Sequence, residues 1–434
     1  MIWQSNINVN HCWIDYNILI AKIHILLKTP TQTTTMKHRP LELLIPVKDF
    51  SCLEAAKNYA DAIYYGTKDL TMRARRGFRL CDIKKVAKQA HANNQKAYLT
   101  VNTVIYETDL KKMQKTITAA QDAEIDAVIL WDPSAIEYAK SIKMPFHIST
   151  QANISNSMTA QFYKKQGARR LILSRELPLK EIRSIKRKVN IELETFIHGA
   201  MCVSISGQCY LSSYLYGASA NCGKCLQPCR KTWTLTDEEN NKLICEGKYL
   251  MSPKDLCMIE HIPDLIKSKI DSFKIEGRLR PPLYVETVAR CYRRAIDAYQ
   301  NNEYTQDLAQ NLKKELAKVY NRGFSTGFYY KSPDATSFSY NTANSQATFT
   351  RTQIGIVTNY YPIVMVAAVR LTGGSLKTGD EITIEGHTTY LHQEIGSMEA
   401  GSKQLKTAPN NTIVGIKVNK KVRKNDMLYR ITPK

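Results

Sequence analysis

An eightfold alternation constrains this chain more than any other feature. From Leu41 onward, short apolar, β-branched runs recur: LELLIPV (41–47), DAIYYG (61–66), KAYLTVN (96–102), DAVILWD (126–132), FHISTQAN (146–153), RRLILSR (169–175), IELETFIHG (191–199) and DSFKIEG (271–277). Between them, segments such as LEAAKNYA, DIKKVAKQAHANN, DLKKMQKTITAAQDAEI and SMTAQFYKKQG carry apolar residues three and four apart, the period of an amphipathic helix. Strand followed by helix demands parallel pairing through a crossover. Eight such units close most simply into a TIM-like (β/α)8 barrel, an α/β fold.

The rhythm breaks once. About seventy residues separate the seventh run from the eighth, and in such a barrel an insertion after a strand falls at the functional mouth. Within it, KTWTLTDEENNKLICEGKYLMS reads as a polar-tipped hairpin. The barrel is expected over residues 36–330, closed by the amphipathic helix YVETVARCYRRAIDAYQN. Residues 331–351, rich in Ser, Thr and Asn, read as a linker. From there the pattern changes to short strands with glycine turns (IGIVTNY, VMVAAVRL, TGDEITIEG, NTIVGIKV, NDMLYRIT), so residues 352–434 are expected to form a small antiparallel β-barrel. Residues 1–35 look foreign to this plan and read as a dispensable extension. Their apolar run, Ile18 to Leu27, is interrupted by Lys22 and His24 and is far short of the ~20 residues that span a bilayer. No membrane partner is expected.

A formal net charge of +22 points to a polyanionic partner as readily as to a lysine-rich solvated surface. The cysteines say more. Seven of eleven (Cys202, Cys209, Cys222, Cys225, Cys229, Cys245, Cys257) fall within 56 residues, inside the insertion. Such clustering in a chain too large to need disulfide staples implies a metal site in a reducing compartment, the cytoplasm. Thiolates select zinc or iron–sulfur centres. A structural zinc site usually shows two short CxxC knuckles, whereas only Cys222 and Cys225 form one here, so the spacing favours iron–sulfur. Cys12, Cys52, Cys81 and Cys291 read as ordinary free cysteines.

The blocks ETFIHGAMCVSISGQC, GKCLQPCR, SPKDLC and FKIEGR resemble those of the collagenase-like peptidase family U32, and the resemblance runs from about Leu41 to Lys434. It implies a 4Fe-4S cluster on Cys202, Cys209, Cys225 and Cys257, with Cys229 as a reserve ligand. It also implies a C-terminal domain similar to the second domain of translation elongation factors. In the family's RNA-hydroxylating branch the implied activity is prephenate-dependent formation of 5-hydroxyuridine at the tRNA wobble position, with tRNA and a small dicarboxylate as partners. Two alternatives stay open: a peptidase acting on collagen-like chains, and a cluster-bearing partner of another hydroxylase. Homo- and hetero-oligomers are equally compatible. A peptidase needs an activated nucleophile or a metal-bound water, and the sequence has neither GxSxG nor HExxH. The dinucleotide and P-loop fingerprints are also missing.

Strand ends supply the remaining candidates, since catalytic groups of a barrel come from the C-terminal ends of several strands. His198, Glu276 and Arg278 are the expected catalytic set. Asn102, His147, Gln151, Arg175 and Glu176 are expected to bind substrate, although His147 and Glu194 fit a hydrogen-bonded core layer as well. Arg73 and Arg75, in TKDLTMRARRGF after the second run, offer guanidinium forks matched to carboxylates, and within the resemblance they imply the prephenate site. Lys417, Lys420, Lys421, Arg423 and Lys424 form the densest positive run and are the expected RNA contacts.

Overall fold

The structure, a computed structural model, describes residues 41–434 apart from 73–76, 244–248, 250, 341–344 and 402. Arg73, Arg75 and Cys245 therefore lie outside the described residues, as does the 1–35 extension. Each of the eight apolar runs is a strand: β1 (Glu42–Pro46), β2 (Ala62–Gly66), β3 (Lys96–Val101), β4 (Ala127–Leu130), β5 (Phe146–Ile148), β6 (Arg170–Ile172), β7 (Glu192–Gly199) and, after the insertion, β11 (Ser272–Ile275). They pair in parallel in that order, and β11 pairs with both β7 and β1, which closes the ring. The strands read as continuous apolar runs because helices cover the outside while side chains fill the inside, so both faces are buried.

The helices that form this outer layer are α1 (Phe50–Ala56), α2 (Ile83–Ala92), α3 (Leu110–Asp122), α4 (Pro133–Ser141), α5 (Ser157–Lys165) and α6 (Leu179–Lys188). In α2, Ile83, Val86, Ala87 and Ala90 face the core and lysines face water, the division that a 3.6-residue period dictates. Asp132 and Asn156 start α4 and α5 by accepting from the backbone N–H groups of Ser134 and Thr159.

The insertion carries the short helix α7 (Leu211–Tyr216), the expected hairpin as β8 (Leu235–Thr236) with β9 (Lys242–Leu243), then β10 (Asp255–Cys257) and α8 (Ile262–Lys267). β10 runs antiparallel to the end of β7, pairing Cys257 with His198 and Leu256 with Gly199. After β11 come α9 (Pro282–Gln300), α10 (Gln306–Lys318) and β12 (Phe324–Ser325), which adds to β10. No helix among the described residues is long and apolar enough to cross a membrane.

Residues 331–351 are not a free tether. Phe338 bridges Pro253, Ser339 N–H donates to the Ser252 carbonyl, and Phe349 already opens β13. The linker reading is corrected accordingly: polar composition marked a segment packed on the insertion. The C-terminal part comprises β13 (Phe349–Tyr361), β14 (Val366–Leu371), β15 (Leu376–Lys377), β16 (Glu381–Glu385), β17 (Tyr390–Glu394), β18 (Met398–Ala400), β19 (Lys403–Leu405), β20 (Thr407–Ala408), β21 (Ile413–Lys417) and β22 (Met427–Pro433). Eight of these make one antiparallel sheet around its own apolar core, which includes Ile354, Val369, Ile384, Val414 and Leu428.

This sheet docks on α1 and α9. Tyr390 donates to Glu286 of α9 at 2.6 Å, Lys420 lies 3.5 Å from Glu54 of α1, and His387 stacks on Phe50. His392 sits between Glu286 and Glu381, 2.7 Å from each. Burial alone would depress its imidazole, but the two carboxylates outweigh that and push it up to about 9. An imidazole whose folded pKa exceeds the ~6.5 of the unfolded chain contributes stability that is whole below pH ~6.5 and is lost as pH rises through about 9. The melting temperature of the wild-type protein is therefore expected to fall between pH 6.5 and 9 relative to that of His392→Gln, and parallel profiles would refute this latch.

Candidate active site at the barrel mouth

Above the C-terminal ends of the strands lies a cavity of about 80 Å³, covered by the insertion. Its floor and walls come from Tyr64, Thr100, Asn102, Gln151, Arg175, Phe196, Lys274, Glu276 and Arg278, and its cover includes Cys202, Cys209, Cys225 and Cys229.

Arg278, at the end of β11, reaches across the mouth and donates to the hydroxyls of Thr71 (2.6 Å) and Thr100 (3.2 Å). Arg175, from the end of β6, lies flat over Phe196 at 3.8 Å, donates to the Ala200 carbonyl at 3.0 Å and faces Glu276 at 3.5 Å. Asn102 accepts from Met72 N–H (3.0 Å) and donates to Ser149 and Gln151, while the Gln151 carbonyl accepts from Gln208 in the insertion. Glu176 lies outside the cavity lining and accepts from Ser206 N–H at 3.0 Å, so its carboxylate fixes the cover. Lys274, which the sequence reading passed over, sits 4.2 Å over the Tyr64 ring and bonds Glu194 at 2.6 Å. Its signal was available: a lysine in the middle of an apolar strand, alternating with Ser272.

Two expected histidines are elsewhere. Glu194, Phe196 and His198 share one strand parity, which places His198 toward the barrel interior if β7 is regular. It is not. Phe196 pairs with Lys274 but His198 pairs with the next residue, Ile275, and the extra residue, Ile197, turns the strand over. His198 consequently packs outward beneath α9, its Nδ1 3.2 Å from the Tyr292 hydroxyl, and burial pushes its imidazole down to about 3. The catalytic expectation for His198 is corrected on this ground. His147 points inward but lies below the cavity, edge-on to Tyr98, and is held well below its usual range by burial and then by Arg170 and Lys274. It fills a core layer with Glu194, which is fully buried and accepts from Arg170 at 3.1 Å.

The thiols also regroup. Cys257 does not reach the cavity: it lies on β10 with the Tyr292 hydroxyl 3.8 Å from its sulfur, and burial pushes the thiol up to about 11. Cys229 takes its place beside Cys202, Cys209 and Cys225. Burial raises the Cys229 thiol, Arg230 opposes this, and the other three cysteines are near enough to raise it further. Four soft ligands around one cavity suit an iron–sulfur centre. Among the described residues, no group of three or more His, Cys, Asp or Glu is arranged to hold a metal ion.

Two features hold the cover to the barrel. Gly199 ends β7 at φ +104°, and a Cβ there would collide with the Glu276 carbonyl oxygen, so only glycine lets the chain leave the strand here. Arg230, buried, donates to the carbonyls of Met201 (2.5 Å) and Pro253 (2.6 Å) and to Ser252 (3.0 Å). One guanidinium thus joins the residue before Cys202 to the residue after Cys229.

The basic run lies outside this site. Lys417 donates to the Val364 carbonyl, Lys420 faces Glu54, and Arg423 donates to Thr389, while Lys421 and Lys424 are exposed. None of the five lines the cavity. All five side chains are nevertheless exposed, and Lys417, Lys420 and Arg423 in addition bond within the sheet and to α1.

Residues 48–339 match the model of peptidase family U32. A protein of Methanocaldococcus jannaschii named as an uncharacterized protease is 46% identical over 90% of this chain and 98% of its own length. A Porphyromonas gingivalis protein named collagenase is 38% identical over 91% and 99%. A Bacillus subtilis protein named tRNA hydroxylation protein P1 is 31% identical over 90% and 94%.

Hydrogen bonds to a charged group contribute about 1.5–3 kcal/mol each, so Arg230→Met is expected to lower stability by a few kcal/mol on that scale. It should also make Cys202 and Cys229 alkylate several-fold faster in the native protein, measured by mass spectrometry. Unchanged alkylation rates would show that the guanidinium does not fix the thiols.

Proposed function

The chain belongs to peptidase family U32, and from that membership and the chemistry of the mouth we propose that it is an RNA hydroxylase. The finer reading is formation of 5-hydroxyuridine at the tRNA wobble position, with prephenate as hydroxyl donor and an iron–sulfur cluster at the mouth. One observation carries it: four thiols share a cavity with Arg175, Glu276 and Arg278, and no histidine lines that cavity among the described residues. A cysteine or serine peptidase most often pairs its nucleophile with a histidine base, and the buried His147 and His198 do not line this cavity. The relative named tRNA hydroxylation protein P1 supports the same direction.

Cys202, Cys209, Cys225 and Cys229 would hold the cluster, which when bound supplies one-electron transfer. Arg278 and Arg175 both bring guanidinium forks to the cavity, suited to the two carboxylates of prephenate. Glu276 opposes Arg175 and keeps that guanidinium oriented across the mouth until a substrate carboxylate competes for it. In sequence, Arg73 and Arg75 follow Met72, which lines the same cavity.

The names of other relatives favour a second reading, a peptidase acting on collagen-like chains. Nucleoside mass spectrometry of tRNA from a strain lacking the gene separates the two: loss of a hydroxylated uridine is expected, and unchanged tRNA together with gelatin cleavage by the purified protein would overturn the hydroxylase reading. Protein prepared without oxygen is expected to be brown and to contain about four irons per chain. Alanine at Cys202, Cys209, Cys225 or Cys229 should bleach it, and Cys257→Ala should not. Bleaching by Cys257→Ala with retention in Cys229→Ala would reverse the ligand assignment. For Arg278→Met, the cluster is expected to remain while the prephenate KM rises at least tenfold, the scale of one lost charged hydrogen bond.

A further inference from the structure

The cover of the mouth shows an unusual outer face. Val203, Ile205, Tyr210, Tyr214 and Tyr216 are all exposed, within fourteen residues of one another in sequence. Scattered surface apolar residues are ordinary, but a contiguous group of them marks an interaction site. The two most exposed are Tyr210 and Tyr214, at 79% and 86%. Tyr214 N–H donates to the Tyr210 carbonyl at 2.8 Å, so the two rings stand one helical turn apart on the same face of α7. Tyr106, from the loop after β3, is 54% exposed, and its hydroxyl lies 4.0 Å from the sulfur of Cys222 in the cover. Tyrosines left in water in this way contribute nothing to folding that a serine would not.

Their position ties them to the site. Cys209, Leu211 and Ser212 line the cavity, and Tyr210 stands between them with its ring turned out, so the platform is the rim of the mouth. The cover itself carries charge of one sign, whereas Glu107 and Asp109 follow Tyr106 on the neighbouring loop. From Ala200 to Trp233 the chain carries Lys224, Arg230 and Lys231 and no acidic residue. Lys231 lies 4.5 Å over the Tyr216 ring and donates to its hydroxyl, which sets a cation beside the aromatic group.

Exposed aromatic rings interleaved with cations form the surface on which unpaired bases stack, because every base offers a π-face and the phosphates between bases seek positive charge. We propose that Tyr210 and Tyr214, flanked by Tyr106, are a stacking platform for the unpaired bases of an RNA loop. Two bases stack on the rings and an adjacent base is directed over the rim past Cys209. This rests on the RNA-hydroxylase reading and supplies what that reading lacks, a means of taking a base out of its stack before chemistry.

The test uses the full-length protein and fluorescence anisotropy with two probes: a labelled RNA hairpin with an unpaired loop, and a fully paired RNA duplex of the same length. Base–aromatic stacking contributes about 1–3 kcal/mol per base, so Tyr210→Ala with Tyr214→Ala is expected to weaken hairpin binding at least tenfold. Duplex binding should be unchanged, and so should the salt dependence, since no phosphate contact is removed. The Tyr210→Phe, Tyr214→Phe protein keeps the rings and should bind the hairpin as wild type does. Equal hairpin binding by the alanine protein, or an equal loss on hairpin and duplex, overturns the platform while leaving the hydroxylase reading in place. If the alanine protein keeps hairpin affinity but loses binding to denatured collagen, the surface serves a polypeptide. If the wild-type protein binds neither RNA, platform and hydroxylase reading fall together.

Discussion

Four charged side chains inside the barrel, Glu42, Arg170, Glu194 and Lys274, hold the structure together at its most vulnerable place. They come from β1, β6, β7 and β11, the strands on either side of the seam where the ring closes. Arg170 donates to Glu42 at 3.1 Å and to Glu194 at 3.1 Å, Lys274 donates to Glu194 at 2.6 Å, and Tyr98 and Ser272 complete the shell of Glu42 at 2.8 and 3.0 Å. Burying such groups costs several kcal/mol per ion unless each is matched. Here Arg170 and Lys274 meet the buried carboxylates of Glu42 and Glu194, with Glu192 and Lys96 at the margin, and a shift of strand register would break these pairs. That specificity matters because the chain leaves β7 for about seventy residues before returning as β11, a closure that β-strand hydrogen bonds alone specify weakly.

The same network prepares the mouth. Lys274 belongs to both layers: its ammonium donates to Glu194, sits over the Tyr64 ring, and lines the cavity beside it. With that charge matched, the walls are left to Arg175, which faces Glu276, and to Arg278, which donates to Thr71 and Thr100. The bulge at Ile197 then separates two functions along β7, with Phe196 facing the cavity and His198 sealing the outer core against Tyr292. Membership in the family fixes the scaffold, but chemistry follows from side chains on it, and it is this arrangement of cations and thiols that argues against a nucleophile-based hydrolase.

Most of the fold was legible because parallel strands buried on both faces write themselves as unbroken apolar runs, and the insertion announced itself as a gap in a regular series. What the sequence could not reveal depended on one-residue shifts and on three-dimensional convergence. His198 followed the alternation of Glu194 and Phe196 until a bulge reversed it. Cys257 shares a sequence neighbourhood with the other thiols, yet β10 carries it back along β7 and away from the mouth, while Cys229 arrives there through a turn no periodicity describes. Asn102, Gln151, Arg175, Glu276 and Arg278 were found because strand ends in a barrel converge by construction. Lys274 and Thr100 were missed because they lie inside strands, and Arg230 because its partners are all backbone or hydroxyl oxygens fixed only by the folded cover.

Closure through β11 also governs the order in which the molecule is made. Glu42 of β1 meets Ser272 of β11 across 230 positions of chain, and at ~5–20 residues per second a ribosome needs roughly 10 to 50 seconds to deliver the second after the first. Throughout that interval the outer edge of β1 presents its unpaired backbone, and Glu42 lacks its shell. An open parallel sheet of up to seven strands with bare edges is a template for pairing with other chains. The nascent protein therefore has a long window of dependence on chaperones, ending when residues near 275 emerge, and substitutions that slow seam closure would reduce yield in the cell before they altered the folded protein.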